Sequence, residues 1–203
     1  VDVARKGNAV PGLFNDEPTI ASLTSHGYPI EQARDYGIVG CVEPSFPGRS
    51  FFSTDAALFN LPLCLILALN RGKRLNSRRR LGAATLPLAT FSSMDQVMHA
   101  FQTQVDYMVD RMIRDLHVIE QGNRGFHPTP FSSMLIAGCM ESGLDVTAGG
   151  AQYNSSGIQG VGIADVADSL AALHTLVYEK HKYTLAEVLD ALRSDYDDNP
   201  ILL

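Results

Sequence analysis

At 203 residues, with 45% hydrophobic and 19% charged side chains, the chain has an ordinary globular composition and enough apolar matter for a sizeable core, which excludes disorder. Its net charge of -6 disfavours nucleic acid and anionic lipid as general partners. The longest apolar stretch, 56–69, is broken by Asn60 and Pro62 and falls short of the about 18 residues a membrane helix needs, so no membrane span is expected.

The opening residues Val1 to Lys6 have neither an initiator Met nor an apolar signal core, and read as neither a native start nor a secretory leader. Residues 17–26 and 30–36 are expected to be helices, separated by Gly27 and Pro29, and 37–40 a short buried strand between glycines. A Pro/Gly-rich loop, 44–48, follows. An apolar helix is expected over 55–70, kinked or begun late because Pro62 lacks a backbone donor. The basic run from Lys73 to Arg80 has no interleaved aromatic and reads as a solvated loop, not a nucleic-acid site.

The clearest helix covers 94–121, where Val97, Phe101, Val105, Met108, Met112, Leu116 and Ile119 recur every three or four residues. Ser93 with Gln96 can cap its start and Gly122 can end it. A shorter helix is expected over 131–142. The glycines of 157–162 are in the wrong order for a dinucleotide loop and read as a tight loop that lets backbone approach closely. Val166, Leu170, Leu173 and Val177 form another helical stripe, and Thr184 with Glu187 is a capping box for a last helix reaching about Tyr196. The hydrophobic end Ile201-Leu202-Leu203 reads as a truncation, and no repeat or linker divides the chain into domains.

Three cysteines, Cys41, Cys64 and Cys139, form no C-x-x-C pair and leave an odd number, which argues against a disulfide framework and for a reducing cytoplasm. The six histidines show no metal-ligand spacing, so no metal is expected. Cys64 and Cys139 lie on apolar helix faces and read as core. Reactive residue types first meet at Gly40-Cys41-Val42-Glu43-Pro44. In an extended chain positions i and i+2 share a side, so the Cys41 sulfur and the Glu43 carboxylate would face one volume. Pro44 biases Glu43 toward extended geometry, and Gly40 lets the backbone turn or approach a neighbour. Taken alone, a cysteine after an apolar strand reads as a buried structural residue.

The stretch Ala33-Arg-Asp-Tyr-Gly-Ile-Val-Gly-Cys-Val-Glu-Pro44, then Pro47-Gly48 and Asp55-Ala-Ala-Leu-Phe-Asn60, resembles the cysteine loop of glycyl radical enzymes of the diol dehydratase branch. Gly149-Gly-Ala-Gln-Tyr-Asn154 and the run from Gly157 to Leu170 resemble a later signature of the same superfamily. The resemblance covers nearly all of the chain and only a central part of such an enzyme. It implies an α/β fold: part of a ten-stranded barrel of two half-barrels wrapped by helices, with the cysteine loop in its centre and residues 1–203 in the central part of the barrel domain. It places the radical glycine in a C-terminal domain absent from this chain, installed by a radical SAM activating enzyme with an iron-sulfur cluster. The chain is then an internal piece of an active enzyme or of an inactive homologue with a binding role.

Pyruvate formate-lyases, the acyltransferase alternative, resemble the chain in fold but carry paired cysteines where Gly40 and Cys41 stand. The Cys-x-Glu pattern resembles instead the eliminases, which implies a thiyl radical on Cys41, Glu43 as base, and a small polyol losing water or another leaving group. A homodimer is implied for the full-length protein. Two readings stand for Asp55: an N-cap of the helix expected there, or, from the resemblance, a contact to substrate hydroxyls. Tyr153 and Asn154 could line the substrate cavity or pack their loop, and packing is the stronger reading from the residues.

Overall fold

A computed structural model describes residues 5–7 and 14–197, so the opening residues Val1 to Ala4 and the closing Ile201 to Leu203 lie outside it. The architecture is α/β. In chain order the elements are α1 Asp16–Ser25, α2 Ile30–Ala33, β1 Gly37–Val39, β2 Glu43–Ser45, β3 Ser50–Asn60, α3 Leu61–Leu69, α4 Met94–Phe126, α5 Pro130–Met134, α6 Cys139–Ser142, β4 Tyr153–Val161, α7 Ile163–Leu173 and α8 Leu185–Arg193. A π-helix, His174–Glu179, continues α7. Strands β1 and β2 form one two-stranded sheet, and β3 and β4 another. The chain divides into two compact units, Val1–Thr54 with Asn123–Ser156, and Asp55–Gly122 with Gly157–Leu203.

In the first unit, Asn15 caps α1 by accepting the Glu17 N–H, and α2 leads into an antiparallel hairpin with Gly37 opposite Ser45 and Val39 opposite Glu43. The expected loop at 44–48 is therefore shorter, because Pro44 sits opposite Ile38 in the ladder and tolerates a strand edge that asks nothing of its missing N–H. Leu23, Ala33 and Phe46 form the core, with Tyr28, Phe52 and Tyr153 packed around Phe46. The Tyr28 ring meets Phe46 at 4.7 Å and Tyr153 edge-on at 5.0 Å, the tilted arrangements aromatic quadrupoles favour.

The helix expected over 131–142 is two short ones, because the chain turns through Gly138 at φ +96°, a left-handed conformation no α-helix contains. The segments on either side are tied by Asp145, whose carboxylate accepts the Thr147 N–H at 2.9 Å, the Thr147 hydroxyl at 2.7 Å, the Thr129 N–H at 2.9 Å and the Ser133 hydroxyl at 2.8 Å. Together, led by the Thr147 hydroxyl, these bonds outweigh partial desolvation and hold its carboxyl at about 2, below the ordinary 3.8. A depressed carboxyl stabilises the fold above its unfolded value and ceases to do so as pH falls through its folded value. Amide-exchange protection at Thr129 and Thr147 is thus expected to hold above about pH 4, to fall as pH drops toward about 2, and to be lost at neutral pH in Asp145→Ala.

The second unit is mainly helical. Leu65, Ala68 and Leu69 of α3 pack with Phe91, with Val97 and Ala100 of α4, with Leu173, and with Leu185 and Leu189 of α8. The helix expected over 55–70 begins late, the alternative Pro62 offered: 55–60 is the second half of β3, and α3 starts at Leu61 with Pro62 in its first turn, where no donor is needed, and Asn60 accepting the Leu63 N–H at 2.9 Å. Helix α4 passes through Gly122 to Phe126, since a glycine costs a helix only about 1 kcal/mol against alanine and a 33-residue ladder carries it. At its start the Gln96 side chain accepts the Ser92 N–H at 2.7 Å, and the Gln96 N–H donates to the Ser93 carbonyl at 3.2 Å.

Residues 157–161 are strand and not the expected tight loop: pairing with β3 overrides weak glycine propensity. Gly162 then turns at φ +80° into α7, where a Cβ would collide with the Pro62 ring. The stripe Val166 to Val177 is helical as expected, and so is the Thr184–Glu187 capping box. The last helix stops at Arg193, because Asp195 and Tyr196 adopt positive φ. Asn70 Nδ2 donates to the carbonyls of Lys73 and Arg74 and pins the basic loop, whose Arg78, Arg79 and Arg80 are solvent-exposed as expected.

Candidate functional site

The β1–β2 hairpin presents Gly40-Cys41-Val42 as its turn. Of the three free thiols, only Cys41 is exposed. Cys64 and Cys139 are 1% and 3% exposed, and burial pushes the Cys64 thiol up to about 11 and the Cys139 thiol up as well. Solvent access thus singles out Cys41.

Glu43 is the first residue of β2. Its Oε2 accepts the Cys41 N–H at 2.8 Å and the Val42 N–H at 2.9 Å. The Val42 N–H first, then its own N–H and that of Cys41, hold the Glu43 carboxyl below its ordinary value against a smaller opposing desolvation. The expectation that an extended backbone aims both side chains to one side is corrected here: Cys41 lies in the turn, and Glu43 joins it by reaching back to the turn's amides. Gly40, at φ +66°, supplies the left-handed residue the turn needs.

Asp55 lies exposed on β3 in the second unit and is no helix cap, Asn60 having that role. Its Oδ1 accepts from the Gln159 side-chain amide of β4. Gln159 escaped the sequence reading because its glycine-rich surroundings concealed a strand: Ile158 and Val161, three residues apart, give no alternation to read. Tyr153 donates its hydroxyl to Gln32 Oε1 at 2.7 Å and belongs to the aromatic core of the first unit. Asn154 Nδ2 donates to the Ala151 carbonyl at 2.8 Å and the Gly149 carbonyl at 3.2 Å. These bonds give both side chains a packing role. The structure thus joins Cys41 to Glu43 and Asp55 to Gln159.

Among the described residues no group of three or more His, Cys, Asp or Glu side chains could hold a metal, and no helix is long and apolar enough to cross a membrane. A cavity of about 320 Å³ in the second unit is lined mainly by apolar residues such as Leu63, Met108 and Leu116 and holds none of the candidate residues. Chemistry, not cavity size, marks the hairpin.

The model of the family described as pyruvate formate lyase-like matches residues 1–202. The chain belongs to that family. Among its relatives in the pyruvate formate lyase-like family is the (2S)-3-sulfopropanediol dehydratase of Klebsiella oxytoca, 38% identical over 97% of this chain and 24% of that protein. The glycerol-bound form of the B12-independent glycerol dehydratase from Clostridium butyricum superposes with a TM-score of 0.89 at 36% identity, over 97% of this chain and 25% of that one. A glycyl radical enzyme from Archaeoglobus fulgidus does so with a TM-score of 0.86 at 34% identity, over 94% and 24%. The chain therefore spans about a quarter of the length of the relatives it matches.

Proposed function

We propose that this chain is the central part of the barrel domain of a glycyl radical lyase of the dehydratase type, acting on a small polyol in the cytoplasm. The observation that carries the reading is the Cys41–Glu43 hairpin: one exposed thiol at a turn whose amides hold a carboxylate. No second cysteine adjoins Cys41, which favours elimination over acyl transfer. A larger barrel, homodimeric when full length, is supported by apolar side chains left bare within each unit, such as Val118 at 72% and Phe126 at 83% exposure.

The Cys41 thiol would give up its hydrogen atom to a glycyl radical carried elsewhere in the enzyme and installed by a radical SAM activating enzyme with an iron-sulfur cluster, the S–H bond breaking as a glycine C–H bond forms. The exposed thiol of Cys41 suits that exchange. The Cys41 thiyl takes a hydrogen atom from a hydroxyl-bearing carbon, an S–H bond forming as the C–H bond breaks. Glu43 takes the hydroxyl proton, the neighbouring C–O bond breaks, and the departing oxygen leaves as water once it receives that proton. The carbon radical then recovers its hydrogen atom from Cys41, so a diol yields an aldehyde and water and the thiyl is restored. Holding the base beside the thiol provides the proximity these coupled steps need.

Asp55 accepts hydrogen bonds from substrate hydroxyls, a task that suits an ionised carboxylate. Asp55→Asn in the full-length activated enzyme is expected to weaken polyol binding by about 1.5 to 3 kcal/mol per charged hydrogen bond lost, read as a rise in KM. The deciding experiment is an anaerobic assay of that enzyme with glycerol, 1,2-propanediol and (2S)-3-sulfopropanediol. Aldehyde formation from one of them supports the reading; acetyl-coenzyme A made from pyruvate, without dehydration of any polyol, overturns it.

A further inference from the structure

We propose that Gly40 is a positioning residue for Glu43: its lack of a side chain is what allows the carboxylate to lie back over the turn onto the Cys41 and Val42 amides. The inference rests on the reading of Glu43 as the base and adds to it the reason the base is where it is. A Cβ placed on Gly40 would stand 2.8 Å from Glu43 Oε2, 3.5 Å from its Cδ and 3.7 Å from its Oε1, the three nearest atoms it would meet. Carbon and oxygen in van der Waals contact prefer a separation well above 2.8 Å, so one of the two must move.

What moves is decided by stiffness. Gly40 belongs to a turn closed by the Val39–Glu43 pair of an antiparallel ladder, whereas the carboxylate is the free end of a three-torsion side chain. The backbone stays and the carboxylate is displaced. Leaving that place breaks its hydrogen bonds to the Cys41 N–H at 2.8 Å and the Val42 N–H at 2.9 Å, the two contacts that tie the base to the residue carrying the thiol. Gly40 is thus required twice, once for its φ of +66° and once for the space its missing Cβ leaves to Glu43.

Two variants of the full-length, anaerobically activated enzyme separate these requirements. Gly40→Ala adds the Cβ and strains the backbone; Gly40→Asn adds the same Cβ on a residue that tolerates left-handed φ. Both are expected to lower kcat by about tenfold, short of the about 10²-fold that a displacement near 1 Å costs at a reacting group, because relieving a 2.8 Å contact asks for a shift of only about half an ångström. Radical yield by electron paramagnetic resonance and KM should stay close to parental values in both variants, and melting temperature in Gly40→Asn, whereas Gly40→Ala should melt lower by its backbone strain. A crystal structure of Gly40→Asn should show the hairpin retained and the Glu43 carboxylate off both amides. Parental kcat in Gly40→Asn would overturn the steric argument. So would a drop in that variant's radical yield or melting temperature that accounts for the lost activity, because Gly40 would then serve only the fold. Glu43→Gln run alongside keeps the two readings apart: its parental activity would remove Glu43 as the base, whereas an inactive Glu43→Gln beside fully active Gly40 variants would sink only the role given to Gly40.

Discussion

Cys41→Ser in the full-length enzyme, activated without oxygen, is expected to bring polyol turnover below detection while the glycyl radical signal remains at its parental level. The substitution swaps one atom at a turn residue whose side chain is exposed and whose backbone N–H, not its sulfur, bonds Glu43. Fold and hairpin therefore have no reason to change. What changes is the strength of the bond to hydrogen: an oxygen–hydrogen bond is much stronger than a sulfur–hydrogen bond, so the radical stored elsewhere cannot readily pass to Ser. Neither Cys64 nor Cys139 can substitute, as both are buried and free of the turn. Electron paramagnetic resonance beside an aldehyde assay checks the expectation. Retained turnover would show that Cys41 is not the hydrogen-abstracting residue.

Glu43→Gln is expected to lower kcat by about 10² to 10⁴, the usual range for loss of a general base. The amide oxygen can still accept the Cys41 and Val42 N–H groups, so the turn keeps its shape, but it takes no proton at neutral pH. The loss should fall on kcat with KM little changed, as it removes an interaction made while the hydroxyl proton is in transit. The amides that hold the carboxylate also lower its proton affinity, so Glu43 is ionised at neutral pH, and in the proposed reaction it would accept a proton only from a hydroxyl made acidic by loss of the hydrogen atom on its carbon. Stopped hydrogen abstraction, rather than stopped elimination, would point to a different role.

Local rules reached far along this chain where one period or one cap governed. The stripe on α4, the Thr184–Glu187 box and the burial of Cys64 and Cys139 all depend on spacing within a few residues, and each stands as read. The run 55–60 stayed open because Asp-Ala-Ala-Leu-Phe-Asn suits a helix or a strand, and the choice went to a partner about a hundred residues away. The same partner, β4, turned a glycine-rich stretch into a strand and brought Gln159 to Asp55.

The chemical inventory of the hairpin is written in the order of its residues: one thiol, one carboxylate two residues on, a glycine before and a proline after, an order characteristic enough to carry a resemblance. The sequence also pointed to Cys64 as core, inside an apolar run that a helix must bury. How the carboxylate meets the turn was settled by folding. Backbone alternation is a property of an extended chain, and Gly40 at φ +66° ends that extension one residue before Cys41. Past that point the direction of Glu43 follows from two turn amides that need an acceptor and from the empty space beside Gly40, conditions that arise only once β1 and β2 pair.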